Sequence, residues 1–314
     1  SNASVVWSPT AYELAYIRLK PGTDAGALVV QSATGRPLRT LVAGGVTQLA
    51  WSPNGDRLAY TRTTDTSGDG KLHPELDRSE VWIVDRQGGR SHRLAQGFDP
   101  AWSPDSRQVL LATSGRLAQG YRERNELRLY GVDGKLVRTV ARVSDVPSDL
   151  QQYGTPFLSA TRLLRHGAIG PDGRTVAFSA LGGVGILGTV GLSGGKVQVQ
   201  DTLVESGFGR VVWEHRGSRI AYEVPLPSGT DQVVVLDIQT GDRSAYGSQR
   251  ERTGYTEPAW SPTGASLALV RKQASGRRSL VRVDLARKRV ATLVSGPVSS
   301  PSWNPASGAG GGGR

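Results

Sequence analysis

Residues 49–62 read LAWSPNGDRLAYTR. An apolar run ends at Trp51, Ser52-Pro53-Asn54-Gly55 makes a tight turn, and Arg57–Arg62 leaves as a second extended run. Proline fixes φ at the first corner of such a turn, and Asn or Gly tolerates the positive φ that follows. The same twelve-residue unit recurs as VVWSPTAYELAY (5–16), PAWSPDSRQVLL (100–111), GAIGPDGRTVAF (167–178), VVWEHRGSRIAY (211–222) and PAWSPTGASLAL (258–269), and PSWNPASG (301–308) begins a seventh. The aromatic position falls at 7, 51, 102, 169, 213, 260 and 303, with spacings of 44, 51, 67, 44, 47 and 43. A period in the forties with turn residues at fixed offsets is the signature of a propeller or a solenoid.

Outward from each unit lies a second strand–turn–strand pattern: EVWIVDRQGGRSHRLA (80–95), ELRLYGVDGKLVRTVA (126–141), QVVVLDIQTGDRSAYG (232–247) and SLVRVDLARKRVATLV (279–294). Asp-Gly, Gly-Gly and related pairs at the centre mark these as hairpins. Four strands per repeat and six repeats predict an all-β protein, a six-bladed β-propeller of four-stranded antiparallel blades. Residues 1–3 read as the scar of an expression tag, 4–304 as a single propeller domain and 305–314 as a Gly-rich disordered tail. Six of the seven tryptophans occupy the repeat position, which predicts packing between neighbouring blades, since a ligand-stacking ring has no reason to repeat.

The units resemble the WSPDG-type, WD40-like repeats of TolB-like β-propellers over roughly 5–304. That resemblance implies a six-bladed propeller, exported to the cell envelope, that works by binding other proteins. Ile169-Gly170 and Glu214-His215-Arg216 depart from the Trp-Ser-Pro-Asp pattern.

Composition agrees with many short elements: Gly 41 and Pro 17 in 314 residues exceed ordinary usage. Zero Cys excludes disulfides, cysteine nucleophiles and thiolate metal sites. The single Gly-x-Ser-x-Gly match, Gly191–Gly195, falls on a predicted hairpin, whereas a nucleophile elbow needs a strand, a sharp turn and a helix. His73, His92, His166 and His215 show no metal spacing, no Gly-rich phosphate loop opens a helix, and Asp99, Glu214 and Glu257 are scattered acids near the first strands of their repeats.

Three features carry the functional expectation. The 63–80 connection, TTDTSGDGKLHPELDRSE, contains Asp65-x-Ser67-x-Asp69-Gly70, the opening of an oxygen-rich calcium loop. Asp65, Ser67 and Asp69 would supply side-chain oxygens, Lys71 a carbonyl, and Glu75 or Asp77 a closing carboxylate; calcium is the one cofactor the sequence suggests. The net charge is +11, and the stretch between Trp260 and Trp303 supplies much of it through Arg271, Lys272, Arg277, Arg278, Arg282, Arg287, Lys288 and Arg289 against Asp284 alone. These residues divide between the 272–278 and 286–289 turns, so they predict a basic edge for an anionic surface or partner rather than one basic pocket. Without interleaved aromatics, nucleic acid is not an expected ligand. The long connections 61–79, 113–125 and 142–166 should crowd one face, where binding on a rigid scaffold concentrates. A short helix is expected over 144–154, capped by Ser144 or Asp145 with Pro147 in its first turn. The segment 302–303 is expected to fill the innermost strand of the first blade in preference to Val5–Trp7.

The function these features favour is a non-enzymatic, monomeric, extracytoplasmic (periplasmic or secreted) interaction platform for an unidentified protein. The alternatives are a propeller enzyme acting on a polysaccharide, and the gating propeller of a prolyl-oligopeptidase-like hydrolase.

Overall fold

The computed structural model describes residues 2–19, 22–36, 38–66, 68–75, 77–113, 125–149, 163–204, 206–226, 229–247, 253–296 and 301–303. Strands β1 (Asn2–Trp7), β2 (Glu13–Leu19), β3 (Gly26–Ser32), β4 (Leu38–Trp51), β5 (Arg57–Thr64), β6 (Arg78–Asp85) and β7 (His92–Gln96) form one antiparallel sheet in chain order. Four four-stranded meanders follow. They are β8 (Phe98–Trp102), β9 (Gln108–Thr113), β10 (Glu126–Gly131) and β11 (Leu136–Arg142); then β12 (Leu163–Ile169), β13 (Thr175–Leu181), β14 (Val184–Gly191) and β15 (Gln198–Val204). The third is β16 (Val211–Trp213), β17 (Arg219–Pro225), β18 (Asp231–Asp237) and β19 (Arg243–Tyr246), and the last is β20 (Thr253–Trp260), β21 (Ser266–Gln273), β22 (Arg278–Asp284) and β23 (Arg289–Ser295).

In the seven-stranded sheet, β4 does two jobs. Leu38–Val42 pairs with β3 and Val46–Trp51 with β5, with Val46 lying opposite Gly26 of β3 as well. Gly45 at φ +77 separates the halves, a conformation a side chain would strain. The strand thus ends one repeat and begins the next without a break.

The repeated turn closes in the same way in all six units. The N–H after the aromatic position donates to the carbonyl five residues on: Ser8 to Glu13, Ser52 to Arg57, Ser103 to Gln108, Gly170 to Thr175, Glu214 to Arg219 and Ser261 to Ser266, at 2.7–2.9 Å. In the divergent fifth unit Glu214, 7% exposed, accepts from Arg219 Nε at 2.8 Å and Nη2 at 2.6 Å. Arg219 also donates to Gly264 O and lies 5.1 Å over the Trp260 ring. A Cβ on Gly264 would fall 1.9 Å from Glu214 Oε1, so the glycine leaves the space this carboxylate occupies.

Apolar faces of successive sheets pack on one another. Val81 and Ile83 of β6 meet Trp102, Val109 and Leu111. Leu110 and Leu127 meet Ile169, Val176 and Phe178, and Val233 and Val235 meet Trp260 and Leu267. The tryptophans do more than fill space. Trp51 Nε1 donates to Val6 O, Trp102 to Ala50 O, Trp213 to Ala168 O, Trp260 to Val212 O and Trp303 to Ala259 O, at 2.9–3.3 Å. Each acceptor immediately precedes the aromatic position of the unit before, so each indole fixes the offset between consecutive units while its own N–H is satisfied.

Two expectations are corrected. The innermost strand beside β2 is β1, not the C-terminal segment. Residues 301–303 are not a strand; Ser302 Oγ accepts from Trp7 N at 3.0 Å, and Trp303 reaches back to Ala259. The C-terminal segment therefore bridges the first and last units by side chains rather than by a ladder. Where a helix was expected over 144–154, the described part is one 3-10 turn, Val143–Asp145, ahead of Pro147; residues 150–154 lie outside the described residues. Asp145 accepts from Arg142 N, which closes that turn backwards and leaves no cap for a helix starting at Pro147.

Candidate functional site

Register places the ends of the sheets. Val46 lies opposite Arg62 and Arg62 opposite Glu80; Phe98 opposite Ala112, and Thr113 opposite Glu126; Leu163 opposite Leu181. The start of each first strand, the end of the second and the start of the third share one end, from which the 65–77, 114–124 and 143–162 connections leave. Of these, residues 114–124 and 150–162 lie outside the described residues.

At that end a polar collar runs along the first strands. Gln48, Asp99, His166, Arg210 and Glu257 stand three residues before Trp51, Trp102, Ile169, Trp213 and Trp260. Register slips at the collar residue in three of these strands, between Phe98 and Ala101, Arg165 and Ala168, and Thr256 and Ala259, and one residue before it in β4, between Val46 and Gln48. Asp99, His166 and Glu257 take φ of 52°, 54° and 58°. Non-glycine residues held there cost of order 1–3 kcal/mol each and persist only where their surroundings hold them.

Hydrogen bonds across units hold them. Gln48 Oε1 accepts from Thr61 Oγ1 and from Asp99 N, and Gln48 Nε2 donates to Asp99 Oδ1. Asp99 Oδ2 accepts from His166 N at 3.0 Å, with His166 Nδ1 at 3.6 Å from the same oxygen. Glu223 of β17 accepts from Glu257 N at 2.6 Å and Arg210 N at 3.4 Å. Just outside the collar, Asn125, 1% exposed, clamps the start of β12 by accepting from Leu164 N and donating to Leu164 O.

Burial pushes the His166 imidazole down to about 4, Asp99 and Glu75 pull the other way, and Arg165 and Arg210 reinforce the fall. His166 is therefore neutral at pH 7. Burial likewise raises the Glu223 carboxyl, against the pull of its two backbone donors and Arg210. Glu75 acts on His166 from the 65–77 connection, so that insertion stands within electrostatic reach of the collar.

Chemically, the arrangement offers fixed acceptors, a neutral imidazole and the Arg165 and Arg210 guanidiniums, neither within 4.0 Å of a carboxylate among the described residues. No serine or threonine hydroxyl hydrogen-bonds the His166 ring among the described residues. The Gly-x-Ser-x-Gly match is a β14–β15 turn, closed by Gly194 N to Gly191 O.

The calcium candidates occupy the 65–77 loop, except that Ser67 lies outside the described residues. Asp65 accepts from Gly68 N and Gly70 N, and Asp69 from Lys71 N with His73 Nε2 at 3.2 Å. Asp77, 4% exposed, accepts from Thr66 N, Thr66 Oγ1 and His73 N. These carboxylates serve turns, and no group of three or more His, Asp or Glu among the described residues is placed to hold a metal ion. The basic candidates divide as the hairpins require. Arg271, Arg277 and Arg278 line an open cavity of about 680 Å³ at one end of the last sheet, while Arg287, Lys288 and Arg289 sit at the β22–β23 turn at the other. Lys272 pairs with Asp231 and Arg287 with Asp284.

The Asp99–His166 contact was missed from sequence, because 67 residues separate the two. Their shared offset of three residues before the repeat position was the available signal.

No protein-family model and no curated protein matches the chain. Solved structures do. TolB from Acinetobacter baumannii is similar with a TM-score of 0.61 at 18% identity, covering 95% of this chain and 68% of that one. A structure of two prolyl endopeptidases is similar at 0.62 and 13%, covering 93% of this chain but only 42% of that one. The β-propeller domain of the Trilobed protease from Pyrococcus furiosus, described as having an open velcro topology, is similar at 0.59 and 12%, covering 94% and 83%. At such identities the likeness is one of fold, and it agrees with the succession of antiparallel meanders packed face to face. The chain is thus an all-β protein with the fold of TolB and other β-propeller domains.

Proposed function

We propose that the chain is a six-bladed propeller that docks a protein partner, without catalysis, on the end carrying the collar and the long connections. The seven-stranded sheet counts as two blades joined through β4, which with the four meanders gives six. The observation that carries the functional reading is the convergence, at one end of a rigid scaffold, of the insertion bearing Glu75 with the strained collar around Asp99, His166 and Arg210. An extracytoplasmic protein is the form that the resemblance to TolB-like propellers implies, and the reading takes it as a monomer. The test is a pull-down from envelope extract with wild type, with residues 67–75 replaced by a short Gly-Ser linker, with Arg210→Glu, and with Arg138→Glu as a distant control. The expected result is a partner captured by wild type and control and lost by the other two. Capture indifferent to both changes would overturn the proposal.

A second reading has its own support: the chain spans less than half of the prolyl endopeptidase it resembles. A gating propeller would belong to a longer polypeptide with a hydrolase domain, and the length of the native gene decides the point.

Calcium binding by the 65–77 loop is a separate proposal. A bound ion at ten times its dissociation constant stabilises the native state by about 1.4 kcal/mol. The melting temperature should then rise with calcium in wild type and stay constant in Asp69→Ala. A wild-type curve unmoved by millimolar calcium would leave the turn hydrogen bonds as the support of this loop.

A further inference from the structure

β23 is the outermost strand of the last sheet, paired with β22 on one side only. All seven of its residues are exposed, whereas the other outer strands β7, β11, β15 and β19 are each partly buried. Three of the seven large apolar side chains exposed among the described residues lie here: Val290 at 43%, Leu293 at 52% and Val294 at 51%. Exposed edge strands are ordinarily blunted by a charge along their length. β7, β11 and β15 carry Arg93, Arg138 and Asp201 inside the strand, and the four-residue β19 starts with Arg243; β23 also starts with an arginine, Arg289, but the six residues after it, Val290–Ser295, read VATLVS, uncharged and rich in β-formers. Such a segment pairs readily with another extended chain. Its charges stand at the two ends instead. The Arg287–Arg289 turn precedes it, and Arg271, Arg277 and Arg278 line the cavity shared with Ser295 and Gly296 after it. Arg277, Lys288 and Arg289 have no carboxylate within 4.0 Å among the described residues.

We infer that β23 accepts an extended segment of a partner protein as an added strand, and that this segment is apolar in the middle and acidic at both ends. The backbone groups on the outer edge of β23 would supply the ladder, Val290 and Val294 the side-chain contacts, and the two basic clusters the choice of partner. A second copy of this chain fits poorly, because antiparallel pairing of two β23 strands sets the basic end of each beside the basic cavity of the other. Pairing steps over one residue at Leu293, since Thr292 lies opposite Val281 and Val294 opposite Leu280. The ladder on either side is short, so the end charges must carry part of the affinity. The inference concerns the outer edge of the sheet and does not depend on the collar end being a docking face.

The test uses the full chain and a labelled ten-residue peptide with a Thr-Val-Thr-Val centre and two Glu or Asp residues at each end, followed by fluorescence anisotropy. Binding should weaken at least tenfold between 50 and 500 mM salt. It should fall at least tenfold in Leu293→Lys, an exposed substitution that leaves the core intact, and in Arg277→Gln/Arg289→Gln. A Lys-flanked peptide should not bind. Hydrogen exchange should show slowing at 289–295 when the acidic peptide is present. Equal binding by Leu293→Lys, or slowing confined to the collar end, would overturn the inference. So would sedimentation showing dimers that Leu293→Lys splits, or binding to anionic phosphatidylglycerol vesicles without binding to the peptide, because each assigns the edge to another occupant.

Discussion

Trp260→Ala is expected to lower stability by about 4 kcal/mol, the cost of deleting a buried aromatic together with the cavity it leaves. Trp260 is 4% exposed, packs on Val233, Val235 and Leu267, lies under the Arg219 guanidinium and donates to Val212 O. Trp260→Phe keeps most of the packing and loses the donor, so its cost should be nearer 1 kcal/mol. Trp303→Ala should fall between, at about 2 kcal/mol, because its indole is only half-buried. Urea unfolding of the three variants measures the series. A Trp303→Ala midpoint equal to wild type would mean that β1 alone closes the seam between the first and last units and that the bond to Ala259 contributes nothing.

Acid should unfold this protein partly through His166. Its folded value is about 4 against 6.5 for the ordinary imidazole, so between those values the unfolded chain binds a proton that the native state refuses. This contribution is fully present above pH 6.5 and is lost as pH falls toward 4. It amounts to roughly 3 kcal/mol in all and to at most about 1.4 kcal/mol per pH unit. Glu223 acts with the opposite sign, since its raised carboxyl takes up a proton in the native state before the unfolded chain does. The His166 effect is therefore read as the difference between wild type and His166→Asn at pH 7, 5.5 and 4.5. Asn suits this position because it tolerates the left-handed φ of 54°. The two stability curves should converge as the pH drops, and a constant gap across that range would refute the assignment.

The sequence by itself determined the repeat, the turn in each unit and the hairpins that follow. These are local: a Trp, a Ser or its substitute, a Pro and a Gly or Asn within five residues set the turn wherever they fall, and period-2 patterning sets the strands on either side. Even the fifth unit kept its turn, because the backbone bond from Glu214 N to Arg219 O needs no particular side chain. The division of the basic residues between two sheet ends was equally legible, since hairpin turns must alternate ends. Only the tertiary structure decided that β4 runs unbroken between two repeats, that the C-terminal segment bridges by Trp303 and Ser302 rather than by a strand, and that Asp145 closes a turn where a helix was expected. It alone decided the collar as well. Asp99 meets His166, and Glu223 meets Glu257, only when successive units lie side by side, and the backbone strain of Asp99, His166 and Glu257 is held by acceptors 34 to 67 residues away in the chain. A short-range pattern fixes φ and ψ where the partners are neighbours in sequence; whether a buried carboxylate finds its N–H depends on how whole sheets pack, which no local pattern encodes.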